Sequence, residues 1–295
     1  MLNILNYLLD RARDKAFYLP ENALVLRGLR RCDYILRLYP TDPVFNLHYL
    51  LAQTVGQGCS YYDPTDETPI LDESLLGKNV LKTDFASRAF RVATLDAVYY
   101  SFGNKPTESR IITGTNTDKA KERAAIVCQE AVQLLTKRRP KHANTYNILN
   151  IGVVGSFLSI LTSYKHQGAD ITVTASDFYE GVVGTYVHGV KIEDGNGRTD
   201  TNLPQLHKGA RTLDLVAQAD VAIITGMSLA NNTLDGILEA ALLNKTSMVV
   251  FAETGAHFAS EYCEIGFDAV VSEPFPFYLT CDGPTQINIY RKDSH

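Results

Sequence analysis

The sequence predicts an α/β protein in two parts, a small α+β region followed by a mostly parallel, doubly wound sheet. From Tyr146 onward, short apolar runs alternate with helical patterns, the order that builds a parallel sheet with right-handed crossovers. Those runs are nearly continuous in Ile, Val and Leu, as expected of strands covered on both faces. Upstream, helical patterns flank clusters of β-favouring residues punctuated by Pro40 and Pro43. At 295 residues with 45% hydrophobic content, two packed domains are affordable in size and core.

Residues from about 2 to 18 place Leu2, Leu5, Leu8, Leu9, Ala12 and Ala16 at helical spacing, and Pro20 ends the run. The stretch turns charged at Asp10 and lacks a basic leader, so it reads as a helix and not a signal peptide. Residues 23 to 64 carry two or three antiparallel strands, the third closing on Gly56 and Gly58 as a turn or bulge. Asp84 is positioned to cap a helix whose packing face is Phe85, Ala89, Val92, Ala93, Leu95 and Ala97. Residues 103 to 118 are poor in large apolar side chains and read as the linker, dividing the chain into domains 1–110 and 111–295. The next helix starts on acidic positions and ends in Lys137, Arg138 and Arg139, which complements its dipole.

In the second part, YNILNIGVVGSF is a strand that stops at Gly152 and Gly155 and passes into a helix. The uncharged window from Asn144 to Tyr164 reaches the length of a membrane span, but its asparagines and glycines fit strand, turn and helix better. ADITVTASDF and ADVAIITGMS supply further strands, with a helix near Thr212–Gln218 between them. A helix NTLDGILEAALLN, a strand TSMVVFAET, a short helix HFASEYCEIG and a last strand DAVVSE complete the pattern. Residues 193 to 210 form a long polar loop, readable as a flap or a surface excursion.

A formal charge of −5 gives no basic face for a nucleic acid, so small molecules are the expected partners. Five scattered cysteines without a CxxC suit reduced thiols in a cytoplasm. In a doubly wound sheet, ligands bind beyond the carboxyl ends of the strands. Those ends carry Gly152, Gly155 and Ser156, then Asp177, then Gly226, Ser228, Asn231 and Thr233, then Glu253, Thr254 and His257. These are the candidate ligand-binding residues; catalytic residues and metal ligands stay unassigned.

Asp177 lies 22 residues beyond Gly155, close to the spacing of a ribose-binding acid, yet GVVGSF is not GxGxxG. The plain reading is that Gly152 and Gly155 let helix and strand pack while Asp177 caps a turn. In GMSLANNTL, capping alone explains Asn232 and Thr233, and a ligand-facing amide nest is the second reading. His257 and Glu261 share one helical face but lack a second ligand pair, so a metal site has little support there. No GxSxG elbow is present.

NIGVVGSF, ADVAIITGMSLANNTLDGILEAA, VVFAETGA and GFDAVVSE together resemble the Rossmann-like C-terminal domain of a family described as putative heavy-metal chelation proteins. HYLLAQTVGQGCSYY and SRAFRVATLDAVYY are similar to that family's first domain, an enolase N-terminal-like α+β fold. The resemblance is weakest over residues 60–80 and 178–212. It implies a ligand cleft between two domains, with Gly152, Gly155, Gly226, Asn231 and Thr233 at the cleft, and a homodimer. It implies little chemistry.

The chain departs from the family at Glu253, Thr254 and Gly255, where a Gly-Pro-Ser/Thr turn is usual. A carboxylate there disfavours an anionic group and favours a cation or an amine. The expectation is a protein, enzyme or not, that holds a small polar metabolite or a metal chelate in the cleft. The alternative is an S-adenosylmethionine- or NAD-dependent enzyme of small-molecule biosynthesis, with a divalent metal as the third cofactor option. A scaffold that binds only another protein is the remaining reading.

Overall fold

A computed structural model describes all residues except 1, 38, 39, 67, 137–139, 142–144, 153, 179, 180, 196–202, 278, 279 and 293–295. The basic end expected at Lys137, Arg138 and Arg139, and residues 196–202 of the polar loop, lie outside the described residues.

The chain opens with α1 (Ile4–Ala16), capped by the Asn3 side chain. Three antiparallel strands follow, β1 (Gly28–Leu36), β2 (Phe45–Gln53) and β3 (Gln57–Tyr61), in the order β1-β2-β3. Helix α2 (Arg88–Tyr99) covers them. Its cap is the Ser87 hydroxyl, which accepts the Phe90 amide, and not Asp84. Asp84 sits three residues too early and pairs with Arg91 instead. Within the stretch read as a linker, β4 (Glu108–Ile112) forms, with Ile112 buried. Helix α3 (Asn116–Leu135) begins at a reciprocal Thr115–Asp118 capping box.

The remaining elements are β5 (Tyr146–Ile151), α4 (Gly155–His166), β6 (Ile171–Asp177), β7 (Tyr186–Val187), β8 (Val190–Lys191), β9 (Glu193–Asp194), β10 (Gln205–Lys208) and α5 (Thr212–Gln218). After these come β11 (Val221–Thr225), α6 (Met227–Ala230), α7 (Leu234–Asn244), β12 (Ser247–Ala252), α8 (Ala259–Ile265), β13 (Ala269–Ser272) and β14 (Thr285–Arg291). Among the described residues the large sheet has nine strands, ordered β4-β14-β13-β12-β11-β5-β6-β10-β9. The fold is therefore mixed α/β, a large, mostly parallel sheet with a small antiparallel one.

Numbered along the chain, the six strands β5, β6, β10, β11, β12 and β13 lie in the order 3-2-1-4-5-6, which switches direction between β5 and β11. Sequence patterning missed β14 and β4, which run antiparallel at one edge, and the short strands between residues 186 and 208. β4 and β7 to β10 are too short to show a period.

Alternate residues of the parallel strands feed two cores, as the pleat requires. Ile148, Ile223, Val249 and Phe251 face α3 and α4, while Leu149, Ile224, Val250 and Ala252 join residues of α1, α2, α5 and α7. The second core is thus continuous with the N-terminal elements. Among the described residues no helix is long and apolar enough to cross a membrane; most of the uncharged window falls in β5 and α4.

Candidate functional site

A cavity of about 490 Å³ lies where the small sheet faces the carboxyl ends of β5, β6, β11 and β12. Its floor comes from Gly152, Gly155, Ser156, Thr225, Gly226 and Glu253. Leu47 and Tyr49 of β2, with Tyr61 of β3, form the opposite wall. Val44 and Phe45 close over it together with Val187 and His188 of the β7–β8 hairpin. The hairpin is tied to the small sheet's side by the His188 amide, which donates to Asp42 Oδ1 at 2.8 Å. Burial pulls the His188 imidazole below its ordinary value, Asp42 opposes that, and Arg123 reinforces it. The cavity is mostly apolar in lining with a few polar groups converging on it, the usual make-up of a small-molecule site.

The glycine turn after β5 is explained first by packing. Gly152 takes a φ of 78°, and a Cβ there would sit 2.5 Å from Thr225 Oγ1. At Gly155 a Cβ would meet Val187 Cγ1 at 2.1 Å and His188 Cδ2 at 2.8 Å. The glycine at 155 admits the hairpin against the start of α4.

A buried charge cluster forms part of the cavity's lining. Arg123 Nη1 of α3 donates to Glu253 Oε1 at 2.9 Å and lies 3.7 Å from Glu273 Oε2. Its guanidinium also stands 4.7 Å from the centre of the Phe251 ring. Tyr49 donates its hydroxyl to Glu253 Oε2 at 3.2 Å, and Thr285 donates to Glu273 Oε1 at 3.1 Å. Burial pushes the Glu253 carboxyl up; Arg123 holds it down and Glu273 pushes it up again, leaving it at about 7. The carboxylate expected to repel anions is thus engaged with a buried cation that borders the same cavity.

A second polar cluster joins the two sheets. Asp96 of α2, 1% exposed, accepts the Cys59 amide on Oδ2 and the His257 amide on Oδ1, at 2.9 and 2.8 Å. The His257 Nδ1 lies 3.2 Å from the same Oδ1. Burial pulls this imidazole down, yet the charge and hydrogen bonds of Asp96 outweigh it and the net shift is upward. Alongside, the Tyr61 amide donates to Thr254 Oγ1 at 2.8 Å, and the Gly255 amide to the Cys59 carbonyl at 3.0 Å.

Of the candidate residues, Gly152, Gly155, Ser156, Asp177, Gly226, Glu253 and Thr254 border one cavity. Ser228, Asn231, Thr233 and His257 do not line it. His257 serves the Asp96 junction, and Asn231 Oδ1 accepts the Thr233 amide and hydroxyl at 3.3 and 2.7 Å, an Asx turn at the start of α7. The Ser228 carbonyl accepts from Thr233. Sequence reasoning missed Arg123, Tyr49, Tyr61 and His188. Arg123 had left a signal, a lone arginine on the face made by Ala120, Ala124 and Val127, all fully buried.

Residues 142–270 match the family model described as putative heavy-metal chelation, DUF364. The resemblance read from the sequence therefore holds over the segment that carries the cavity floor. A protein of unknown function from the DUF364 family of Pyrococcus horikoshii superposes with a TM-score of 0.53 at 11% identity, covering 98% of this chain and 100% of its own. Another, from Desulfitobacterium hafniense, gives 0.50 at 12%, covering 96% and 99%. At such identities the likeness speaks for the fold alone. No curated protein matches the chain.

The family description implies a metal. Among the described residues no three His, Cys, Asp or Glu side chains converge into a group that could hold an ion. In the cavity, Glu253 is held by Arg123. Cys59 lies in the small core beside Tyr49 and Phe277, where burial pushes its thiol well up and away from the thiolate that binds soft metals. The described donors do not fit a heavy-metal ion bound directly by the protein.

Proposed function

We propose that this protein binds a small polar metabolite, or a metal already wrapped in its own chelator, in the cavity between the two sheets. The observation that carries the reading is the cavity's position, at the carboxyl ends of β5 and β11 where the strand order reverses. A chelate brings its own metal ligands, so the reading is compatible with a protein that offers hydrogen-bonding groups and apolar walls. In this reading residues 1–110 and 111–295 are two domains that enclose the ligand, and the protein acts as a homodimer, which sedimentation would test.

A thermal-shift screen with divalent metals, metal chelates, amino acids and nucleotides tests it. A ligand at a hundred times its Kd adds about 2.7 kcal/mol of stability. Leu47→Trp, which pushes a large ring from β2 into the cavity, should abolish that gain, whereas Asn231→Ala should leave it untouched. Stabilisation that survives Leu47→Trp would overturn the cavity as the site.

A second reading has one observation in its favour, that Asp177 borders the cavity from the end of β6, where a ribose-binding acid belongs. S-adenosylmethionine or NAD would then be retained through purification and seen by mass spectrometry, and Asp177→Ala would weaken its binding. An unchanged affinity in that variant would remove the reading.

A further inference from the structure

The start of α4 says more about the ligand, on the footing that the cavity is the binding site. This helix of 12 residues has Val154 at its N-cap and no side-chain cap. The amides of Phe157 and Leu158 donate to the Val154 carbonyl at 2.9 and 3.2 Å. Those of Gly155 and Ser156 precede any acceptor within the helix, and the helix terminus itself carries about half a positive charge.

Ser156 supplies the second, independent observation. It is only 2% exposed, borders the cavity, and its Oγ has no hydrogen-bond partner among the described residues. Buried hydroxyls are normally partnered, so an unpartnered one on a residue that borders a cavity points to a group that arrives with the ligand. Arg123 stands close by, its guanidinium 5.9 Å from the Phe157 ring centre. Glu253, the nearest carboxylate to that guanidinium, is already paired with it.

We propose that the start of α4 is a subsite for one oxyanion of the ligand, a carboxylate or a phosphate group, held by the Ser156 hydroxyl and the first amides of the helix. The flank of the turn at Gly155 is filled by Val187 and His188, within 2.1 and 2.8 Å of where a Cβ would be, so the close backbone approach that a dinucleotide requires is closed off. Asp63 and Asp177 also border the cavity, Asp177 at the end of the strand paired with β5. Burial, followed by the charges of Asp63 and Asp177, pushes the Tyr61 phenol up to about 12. The rest of the ligand therefore presents hydroxyl or ammonium groups toward Asp63 and Asp177.

The test is thermal melting and calorimetry of the full chain with inorganic phosphate and with acetate, using chloride at equal ionic strength as the control. Saturable stabilisation beyond chloride is expected, and the stronger of the two anions identifies the group. Ser156→Ala should weaken that anion about fivefold to tenfold, the worth of one hydrogen bond. Ser156→Asp, which places a carboxylate in the subsite, should fold and lose the response altogether.

The proposal is overturned if neither anion exceeds chloride, or if both variants respond like the parent. A ligand from the wider screen that is blocked by Leu47→Trp but indifferent to Ser156→Ala would overturn the subsite while leaving the cavity as the site. A screen without any binder would overturn both.

Discussion

The two buried charge clusters beside the cavity are built from the same chemistry and titrate in opposite senses. Around Arg123, one guanidinium serves two carboxylates, Glu253 and Glu273, and raising the pH through neutrality creates a charge on Glu253. Around Asp96, one carboxylate serves an imidazole and two amides, and raising the pH removes a charge from His257. Burial is the main push on Glu253, upward, with Arg123 opposing it and Glu273 adding to it; at His257 burial pulls downward and the charge and hydrogen bonds of Asp96 outweigh it.

The comparison breaks most visibly at Arg123. Arg123→Ala leaves two carboxylates buried without their cation, and should cost about 3–5 kcal/mol in urea unfolding. A cost below about 1 kcal/mol would mean that Glu253 and Glu273 are stabilised by something other than this arginine.

The next test sharpens the titration. Glu253 has a raised folded pKa of about 7, so its contribution is fully present below the unfolded value and is lost as the pH rises through about 7. The parent should lose on the order of 3 kcal/mol relative to Glu253→Gln between about pH 4.5 and pH 7, as 1.36 kcal/mol per pKa unit implies. Parallel stability profiles for the two proteins would remove the raised carboxyl from the account.

The smallest effect belongs to the second cluster. Asp96→Asn keeps the shape but turns a charged acceptor into a neutral one, costing about 2 kcal/mol. His257 is raised by Asp96, so its share of stability is present below the unfolded value and is lost as the pH climbs through its higher folded value. In Asp96→Asn that loss should vanish, which an imidazole NMR titration of His257 and a melting curve at each pH would register together. An unshifted His257 would show that the two side chains are neighbours without coupling.

Much of the fold was legible because its signals are local. Continuous apolar runs marked β5, β6, β11 and β12, and helical spacing marked α1, α2 and α7. β4, at the edge, stayed hidden because its partner β14 lies more than 170 positions away, and β14 because it is ordered between β4 and β13 only in three dimensions. The cavity floor was partly legible too, since Gly152, Gly155, Ser156, Asp177, Gly226, Glu253 and Thr254 stand at strand ends, where an α/β sheet opens. GMSLANNTL was misleading because an Asx turn and a ligand nest draw on the same small polar residues.

The sequence alone determined the alternation of strand and helix, the glycines at the first turn and the supply of polar residues beyond the strands, because these depend on neighbours a few positions apart. Only the tertiary structure decided what those residues face. Arg123 reaches Glu253 across 130 positions, and His257 reaches Asp96 across 161. Val187 and His188 fold back on Gly155, and the hydroxyl of Ser156, a residue that borders the cavity, is left buried without a partner among the described residues. Burial and long-range pairing set these charges and contacts, and neither has a period that a linear pattern can show.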